Sequence, residues 1–471
     1  MIFSFMVAGS RKKAKKRRLV RDLSNVKFKE AITSSLQRYT PDYQLVSVKN
    51  NRRTNHAQLI DATLMREDDY ELSVVAKRYL HMGRSLGKYH KLFNNPNSLQ
   101  SRESRNLNNI TDISGSGKVP ASHLVDTDNN MSVIKRIHGE SSWIKLVNIV
   151  KQLEDKPTSK LLYGEMKSAL YEFVGGVARF VGSVNADHEK YHQKYPSYYR
   201  EAKEFSAANE QLLKENFRKL MVPKKSTSRI DDLVGKLWGL KKKAFHDREL
   251  FVHGDFHANH LIIPDQYASE EEKEPVTIDL ETFHIDYEST DLGSALVIHP
   301  IGNNYIIRGG EFSNLINRYL ALEHAYENKD DEAIKVLKQA ENGEFAEYLC
   351  ETKLGKEEYN NFLLGVFANA MVKQLQLPII YHRRKKRAGM NEDMEERKKN
   401  DANYLHTLFL ELIGMDQIFD GCTAPDQFRD YFHTLGQISE EVGYLKFHDG
   451  FLDGIKKGTI STEIIKGHPF I

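Results

Sequence analysis

The feature that most limits how this chain can fold is a set of short apolar segments and polar groups between residues 250 and 281. The first polar group, HGDFHANH (His253–His260), has an apolar segment on either side. The polar loop PDQYASEEEKEP separates the second of these segments from VTI, which runs directly into Asp279 and Glu281. Two short strands joined by a polar loop are typical of a hairpin. We therefore expect both polar groups at one end of it, where the acidic side chains need a cation or a proton.

The overall composition favours an ordinary water-soluble protein. A chain of 471 residues allows two to four domains or one two-lobed enzyme. Its net charge of +3 is too small to indicate a nucleic-acid-binding protein. We find no apolar run near the ~18 residues of a membrane-spanning helix. The two cysteines exclude a disulfide framework and favour a reducing compartment, so we expect a cytoplasmic protein.

We expect residues 1–30 to form a basic, flexible tail. The basic run RKKAKKRR, residues 11–18, follows an apolar segment, whereas a secretory signal has its positive charge first. A nucleic acid or an anionic surface is a conceivable partner for such a run, but a solvated tail is the simpler interpretation.

The next part of the chain, residues 31–176, is expected to be rich in β-structure. Three strand-like segments begin at residues 43, 57 and 70, and the short breaks between them favour an antiparallel meander. Residues 94–130 are rich in Asn, Ser and Gly, which predicts a low-complexity, loosely ordered and dispensable insert. A further strand, SVIKRI, follows the insert. We place a hinge at LYEFVGG, Leu170–Gly176.

Residues 177–471 are expected to be mainly helical, with the hairpin at residues 250–281 inserted among the helices. The segment EEYNNFLLGVFANAMVKQLQ places Phe362, Val366 and Ala370 near one face of a helix, which indicates core packing. The combination of these parts predicts an α+β fold.

Three interpretations of the polar groups compete. His253, His257 and His260 have a spacing that suits a zinc or iron site. Alternatively, Asp279 and Glu281 bind Mg²⁺ while Asp255 orients a hydroxyl for phosphoryl transfer, since hard cations prefer carboxylates. In the third interpretation they are only polar residues at strand ends.

The sequence around the polar groups decides between these interpretations. HGDFHANH followed by TIDLE resembles the aminoglycoside phosphotransferase and choline kinase superfamily, whose fold is related to protein kinases. The later segment DLGSAL, Asp291–Leu296, fits the same pattern. The resemblance implies a two-lobed protein-kinase-like fold with a small antiparallel N-lobe (residues 31–176) and a large helical C-lobe (residues 177–471) that carries a catalytic hairpin.

The same resemblance implies ATP-dependent transfer of phosphate to a hydroxyl of a small molecule such as a sugar, an amino alcohol or an aminoglycoside. Asp255 would accept a hydrogen bond from that hydroxyl and take its proton late. Asp279 and Glu281 would hold Mg²⁺. His253 would brace the loop, and Asp291 would hydrogen-bond its backbone.

His260 departs from the family pattern, which has an asparagine at this position as a second metal ligand. An imidazole is a softer ligand than an amide oxygen. Either His260 binds the metal, or the second metal is weakly held, or the chain binds nucleotide without turning it over. The alternatives are therefore a catalytically silent kinase-like protein and, less favoured, a metal-dependent hydrolase with histidine ligands.

The phosphate-binding lysine is expected at Lys77, on the third strand, with Lys135 as its rival. The glutamate that pairs with it is either Glu140 or Glu154. The turn NNRRTN, residues 50–55, is expected to cover the phosphates of ATP through its backbone amides and through Arg52 and Arg53.

Overall fold

The structure of the chain is a computed structural model. Contacts divide it into two compact units, Met1–His138 and Gly139–Ile471. The described residues are 28–53, 57–66, 68, 70–79, 96–115, 117–126, 131–156, 158–206, 211, 232, 235, 239, 250–265, 274–296, 312–340, 342–351, 358–359, 361–363, 365–366, 369–370 and 433. The basic run at residues 11–18 therefore lies outside the described residues, as does most of the expected tail.

The first unit contains a five-stranded antiparallel sheet. Its strands are β1 (Tyr43–Arg53), β2 (Ala57–Arg66), β3 (Glu71–Tyr79), β4 (Ser122–Asp126) and β5 (Met131–Lys135). They lie in the order β1-β2-β3-β5-β4, and every neighbouring pair is antiparallel. The predicted meander is thus confirmed for β1 to β3, and SVIKRI forms β5 beside β3.

One face of this sheet is covered by a helix, α1, at residues 28–39. Phe28, Ile32 and Leu36 recur at every fourth position, so they share one face of the helix and are buried. They pack against alternate side chains of β2 and β3, including Ile60 and Val74. Residues 28–30, predicted as part of the tail, belong to this helix.

The prediction of a loosely ordered insert at residues 94–130 is wrong. Pro96–Ser114 form helix α2, and Ser122–Asp126 form strand β4 of the sheet. Leu107 and Ile110 are 1% and 0% exposed, and even the polar Asn106 is fully buried. The Asn- and Ser-rich composition suggested too little apolar surface for ordering. In the fold, however, α2 buries polar side chains together with its few apolar ones.

The second unit contains most of the helices. Those used below are α3 (Ser142–Asp155), α4 (Lys160–Asn185), α5 (His188–Lys194), α6 (residues 196–206), α7 (Ser289–Leu296), α8 (Phe312–Glu327), α9 (Asp331–Gln339) and α10 (Asn342–Glu351). Ser141 and Ser159 begin α3 and α4, each accepting a hydrogen bond from the backbone N–H three residues on. No described helix has the length and apolarity needed to cross a bilayer.

The hinge predicted at Leu170–Gly176 is also wrong, since α4 runs without interruption through this segment. The glycines of LYEFVGG suggested a turn. Gly176 is explained instead by the close approach of Leu261 to the helix: a Cβ at residue 176 would lie 2.4 Å from Cδ2 of Leu261. The chain passes from one unit to the other between His138 and Gly139, so the boundary predicted at residue 176 falls inside a helix.

Short strands between the helices build the polar end of the second unit. They are β6 (Gly139–Ser141), β7 (Leu250–Val252), β8 (Leu261–Pro264), β9 (Val276–Thr277) and β10 (His284–Asp286). β8 pairs with β6 and β9, and β7 pairs with β10, all antiparallel. The described residues therefore confirm an α+β fold with antiparallel sheets. Phe362, Val366 and Ala370 are helical and buried, as their spacing predicts.

The burial of α2 can be tested by truncating one of its side chains. Ile110→Ala should lower the free energy of unfolding by about 2–5 kcal/mol, because it leaves a cavity among fully buried groups. Asn108→Ala, on the exposed side of the same helix, should change it by less than about 0.5 kcal/mol. Urea unfolding of both variants measures the difference. Equal losses would contradict the packing of this helix.

Candidate active site

A buried carboxylate holds the start of the polar loop. Asp291, in the first turn of α7, accepts hydrogen bonds from the backbone N–H groups of His253 at 2.7 Å and of Gly254 at 2.9 Å. Its side chain is 0% exposed. Burial raises the pKa of this carboxyl to about 6, although both amide hydrogen bonds favour the ionised form. The loop after β7 is thus fixed to α7 through its main chain.

Gly254 is required by the turn that follows. Its φ of +79° lies in the left-handed region, which favours glycine. A Cβ at this position would lie 2.4 Å from Cε1 of His284 and 2.8 Å from the carbonyl oxygen of Thr282. Only glycine therefore lets the chain turn here and present Asp255, which is half-buried.

His253 uses both of its ring nitrogens within the protein. Nε2 lies 2.9 Å from the carbonyl oxygen of Ile278, which can only accept, so Nε2 carries the hydrogen. Nδ1 accepts the backbone N–H of Asp255 at 3.4 Å. Burial lowers the pKa of this imidazole to about 3, so it is neutral. With no lone pair left, His253 is not a metal ligand, which excludes the three-histidine metal site.

Aromatic packing and one amide fix β7 and the loop beneath the site. Phe256 is fully buried, with its ring 6.4 Å from that of Phe173 and 6.0 Å from that of Phe180. Asn185, at the end of α4, accepts the N–H of Phe251 at 2.9 Å and donates to its carbonyl oxygen at 3.1 Å. The strand that leads into the loop therefore cannot slide along α4.

His260 connects the two polar groups of the sequence. Its Nδ1 donates to the carbonyl oxygen of Asp255 at 2.9 Å, and its Nε2 lies 3.3 Å from Oδ2 of Asp279. The ring also stacks on His253 at 5.0 Å and lies 3.5 Å from the ring of His257. In the neutral imidazole the lone pair of Nε2 therefore faces a carboxylate, an arrangement that favours a cation or a proton between them.

Asp279 lies two residues after the end of β9 and has a left-handed backbone, with φ 65° and ψ 50°. Aspartate tolerates this conformation better than most residues. The backbone N–H of Ile278 donates to the carbonyl oxygen of His260 at 2.9 Å, which keeps the two ends of the hairpin together. Glu281 lies in the 3₁₀ turn Leu280–Thr282 and is half-buried.

The donor set fits a divalent cation. Two ligands on one edge of an octahedron with bonds of about 2.1 Å lie about 3 Å apart, close to the 3.3 Å between His260 Nε2 and Asp279 Oδ2. Carboxylates suit Mg²⁺ better than imidazole does. A tetrahedral zinc ion has a similar ligand separation, so the distance alone does not choose the metal.

In the first unit, Lys77 forms a buried ion pair with a glutamate that sequence reasoning missed. Nζ of Lys77 lies 3.1 Å from Oε1 and 3.0 Å from Oε2 of Glu103 in α2, which also accepts a hydrogen bond from the hydroxyl of Tyr79. Lys77 and Glu103 are 8% and 2% exposed. Glu103 has a helical spacing with Leu107 and Ile110, which could have indicated that it lies on the buried face of a helix. The many polar residues around it made that face hard to recognise.

The two glutamates predicted as partners of the lysine lie elsewhere. Glu140 is in strand β6 of the second unit and accepts from Nδ2 of Asn148 at 3.4 Å. Glu154 belongs to α3, and its side chain lies outside the described residues. The ion pair found at Glu103 therefore corrects that prediction.

Strand β1 is longer than predicted and includes Arg52 and Arg53, which pair with Leu59 and Gln58 of β2. These arginines lie in a strand and not in the turn expected at residues 50–55. Their side chains and residues 54–56 are outside the described part of the chain.

Sequence reasoning also missed three positioning residues in the second unit. They are Asn185, Thr282 and His284. Oγ1 of Thr282 donates to the carbonyl oxygen of His253 at 2.8 Å. Nδ1 of His284 donates to the carbonyl oxygen of Thr282 at 2.6 Å. Both lie just after the Asp-Leu-Glu segment. Their contacts depend on the pairing of β7 with β10, which the sequence did not indicate.

The buried carboxyl of Asp291 predicts a specific pH dependence of stability. Its folded-state pKa of about 6 exceeds the value of about 3.9 in an unfolded chain. The folded protein therefore binds more protons in this window, and the group lowers stability as pH rises from about 4 to about 6. Asp291→Asn removes this titration.

The measurement is the free energy of unfolding of wild type minus that of Asp291→Asn, followed across this window. It should fall by up to about 3 kcal/mol as pH rises, since one pKa unit corresponds to about 1.4 kcal/mol. A difference that stays constant between pH 4 and pH 7 would contradict the raised pKa.

Comparison with known proteins adds structural neighbours only. No family model and no curated protein matches the sequence. The choline kinase LicA from Streptococcus pneumoniae aligns over 69% of this chain and 99% of its own, with 11% identity and a TM-score of 0.31. A mutant of aminoglycoside 2′-phosphotransferase-IIIa in complex with GDP aligns over 71% and 98%, with 13% identity and a TM-score of 0.35.

A choline/ethanolamine kinase family protein from Mesorhizobium loti aligns over 74% of this chain and 99% of its own, with 13% identity and a TM-score of 0.27. The structural neighbours are therefore small-molecule kinases by their descriptions. All three TM-scores are below 0.5.

Proposed function

We propose that this chain is an ATP-dependent phosphotransferase that transfers a phosphate group to a hydroxyl of a small molecule. The observation that carries the proposal is the position of His260. Its ring contacts the backbone carbonyl of Asp255 through one nitrogen and approaches the carboxylate of Asp279 with the other. The imidazole of His260 thus connects Asp255, proposed to orient the acceptor, with Asp279, proposed to bind metal.

Asp255 is the proposed catalytic residue. It lies on a loop whose backbone is held by Asp291 and whose turn requires Gly254. Such a fixed carboxylate can accept a hydrogen bond from the acceptor hydroxyl and take its proton late, because phosphoryl transfer depends more on positioning than on strong base catalysis.

Asp279, Glu281 and His260 are the proposed metal ligands. When bound, Mg²⁺ neutralises charge on the β- and γ-phosphates of ATP. Asp279 offers a hard carboxylate oxygen beside the lone pair of His260 Nε2, two electron donors that favour a shared cation. His260 lies at the position where the family that this chain resembles has an asparagine that binds metal. We assign His260 the same metal-binding role, with an imidazole nitrogen as a softer ligand than the amide oxygen.

Lys77 is proposed to bind the nucleotide phosphates, with Glu103 holding its ammonium group in place. The support is their buried ion pair, which fixes the direction of the ammonium group. Arg52 and Arg53 are proposed to contact the same phosphates from the end of strand β1. Sugars, amino alcohols and aminoglycosides remain the proposed acceptors.

The His260–Asp279 pair also favours a second candidate, a kinase-like protein that binds nucleotide without transferring phosphate. A protonated His260 would form an ion pair with Asp279, and this pair would occupy the carboxylate in place of a metal. The two functions differ in whether metal increases nucleotide affinity and whether any phosphate is transferred.

The metal role predicts a selective loss in Asp279→Ala. Calorimetry should show Mg²⁺·ATP binding weakened roughly tenfold or more, because a hard dication loses an anionic ligand, with a much smaller effect on metal-free ATP. Asp265→Ala removes an exposed carboxylate beyond β8 and serves as the control. A parallel titration with Zn²⁺ tests the softer metal. Equal losses with and without metal would remove Asp279 from the metal site.

The catalytic role predicts that Asp255→Asn folds and binds Mg²⁺·ATP like wild type but loses turnover by about 10²–10⁴-fold. The assay follows phosphate transfer from ATP to a panel of amino alcohols, sugars and aminoglycosides. Wild-type turnover in the variant would show that Asp255 has another role. Nucleotide binding by wild type without transfer to any acceptor would favour the silent candidate, and no nucleotide binding would exclude both.

A further inference from the structure

A cavity in the second unit lies away from the residues proposed for phosphoryl transfer. Its volume is about 630 Å³, within the usual range for small-molecule sites. It lies between α4, α8 and the segment before β9. The charged residues that line it are five basic and two acidic: Lys145, Lys167, Arg179, Arg318 and Lys338, with Glu172 and Glu274.

The two acidic residues of the cavity are already engaged. Glu172 accepts from Nζ of Lys145 at 2.5 Å. Glu274 lies 2.6 Å from Nζ of Lys338 and 3.5 Å from Nε of Arg179. Arg179 also donates to the carbonyl oxygen of Pro275 at 2.7 Å. The described lining therefore has an excess of three positive charges.

Arg318 is a positively charged residue of this lining whose described neighbours are aromatic rings and not carboxylates. Its guanidinium carbon lies 5.1 Å from the ring centre of Tyr171 and 5.0 Å from that of Phe345. Among the described residues, no carboxylate lies within ion-pairing distance of it, and its buried Nε has no hydrogen-bond partner. Burial lowers the pKa of Arg318, which reflects the cost of a charge without a counterion.

We propose that this cavity binds a small organic oxyanion, with Arg318 as its principal ligand. A guanidinium group offers a planar set of donors that matches the oxygens of a phosphate or a carboxylate. The two aromatic rings hold that group in place, so little side-chain entropy is lost on binding. A bound oxyanion supplies the counterion that the guanidinium group lacks among the described residues.

The size of the cavity indicates an organic ligand and not a lone inorganic ion. About 630 Å³ exceeds the ~30 Å³ of a water molecule many times over. The side chains of Tyr171, Leu322 and Tyr326 supply apolar wall next to Arg318. Phosphate and carboxylate share the oxyanion chemistry, and the choice between them is made by experiment.

The cavity is separate from the candidate active site. Glu274 and Pro275 precede β9, whereas Asp279 follows it, so the two sites lie toward opposite ends of the same hairpin. None of the residues proposed to bind metal or to orient the acceptor lines the cavity. The inference therefore does not depend on the proposed function.

The test is titration of the full chain with inorganic phosphate and with citrate, at constant ionic strength set by chloride. Wild type should bind at least one probe by calorimetry, and its melting temperature should rise with probe concentration by mass action. Arg318→Met, which keeps an apolar side chain between the two rings, should bind at least tenfold more weakly. Arg66→Met, in the first unit, should bind like wild type.

Asp279→Ala separates this cavity from the metal site and should bind the probes like wild type. Preference for phosphate or for citrate identifies the anion class. No binding of either probe by wild type, equal binding by Arg318→Met, or loss of binding only in Asp279→Ala would overturn the proposal. If Arg318→Met does not fold, Arg318→Lys replaces it: the charge remains without the planar donors, and unchanged affinity would equally overturn the role of Arg318.

Discussion

The carboxylate of Asp291 and the two backbone N–H groups that it accepts are the interaction on which the candidate site depends. Hydrogen bonds to a charged acceptor are stronger than neutral ones, about 1.5–3 kcal/mol each, and here they compensate part of the cost of burying the carboxyl, whose pKa is still raised. They fix the main chain at His253 and Gly254. The left-handed turn at Gly254 then presents Asp255, and the carbonyl of His253 remains available to Thr282.

The three histidines of the polar loop have different physical roles despite their similar spacing. His253 is buried, neutral and hydrogen-bonded through both nitrogens. His257 accepts the backbone N–H of Asn259. His260 directs a nitrogen toward an acidic side chain, that of Asp279. Stacking of the rings orders the loop, and the hydrogen bond to the Asp255 carbonyl selects which nitrogen of His260 faces that carboxylate.

In the first unit, the polar composition of helix α2 led to the wrong prediction of a loosely ordered segment, whereas the periodicity of β1 to β3 predicted their strands correctly. Helix α2 is rich in Asn and Ser, residues that favour turns and solvent in isolation. Its glutamate nevertheless lies in a buried pair with Lys77, and its apolar residues are enclosed. An ion pair buried in this way requires both partners, because removing one leaves an uncompensated charge. The helix and strand β3 are therefore coupled through charge as well as through packing.

The sequence by itself determined the elements whose signal is local. The β1–β3 meander, the strand SVIKRI and the pairing of β8 with β9 all follow from periodicity and turn residues, which act over a few positions. The predicted meeting of His260 with Asp279 follows from that pairing. Only the tertiary structure decided that α2 is ordered, that Glu103 is the partner of Lys77, that LYEFVGG continues a helix, and that Asn185 and Thr282 position the loop. These outcomes depend on burial and hydrogen bonds between segments distant in sequence, and a polar or glycine-rich segment gives no local sign of the neighbours that enclose it.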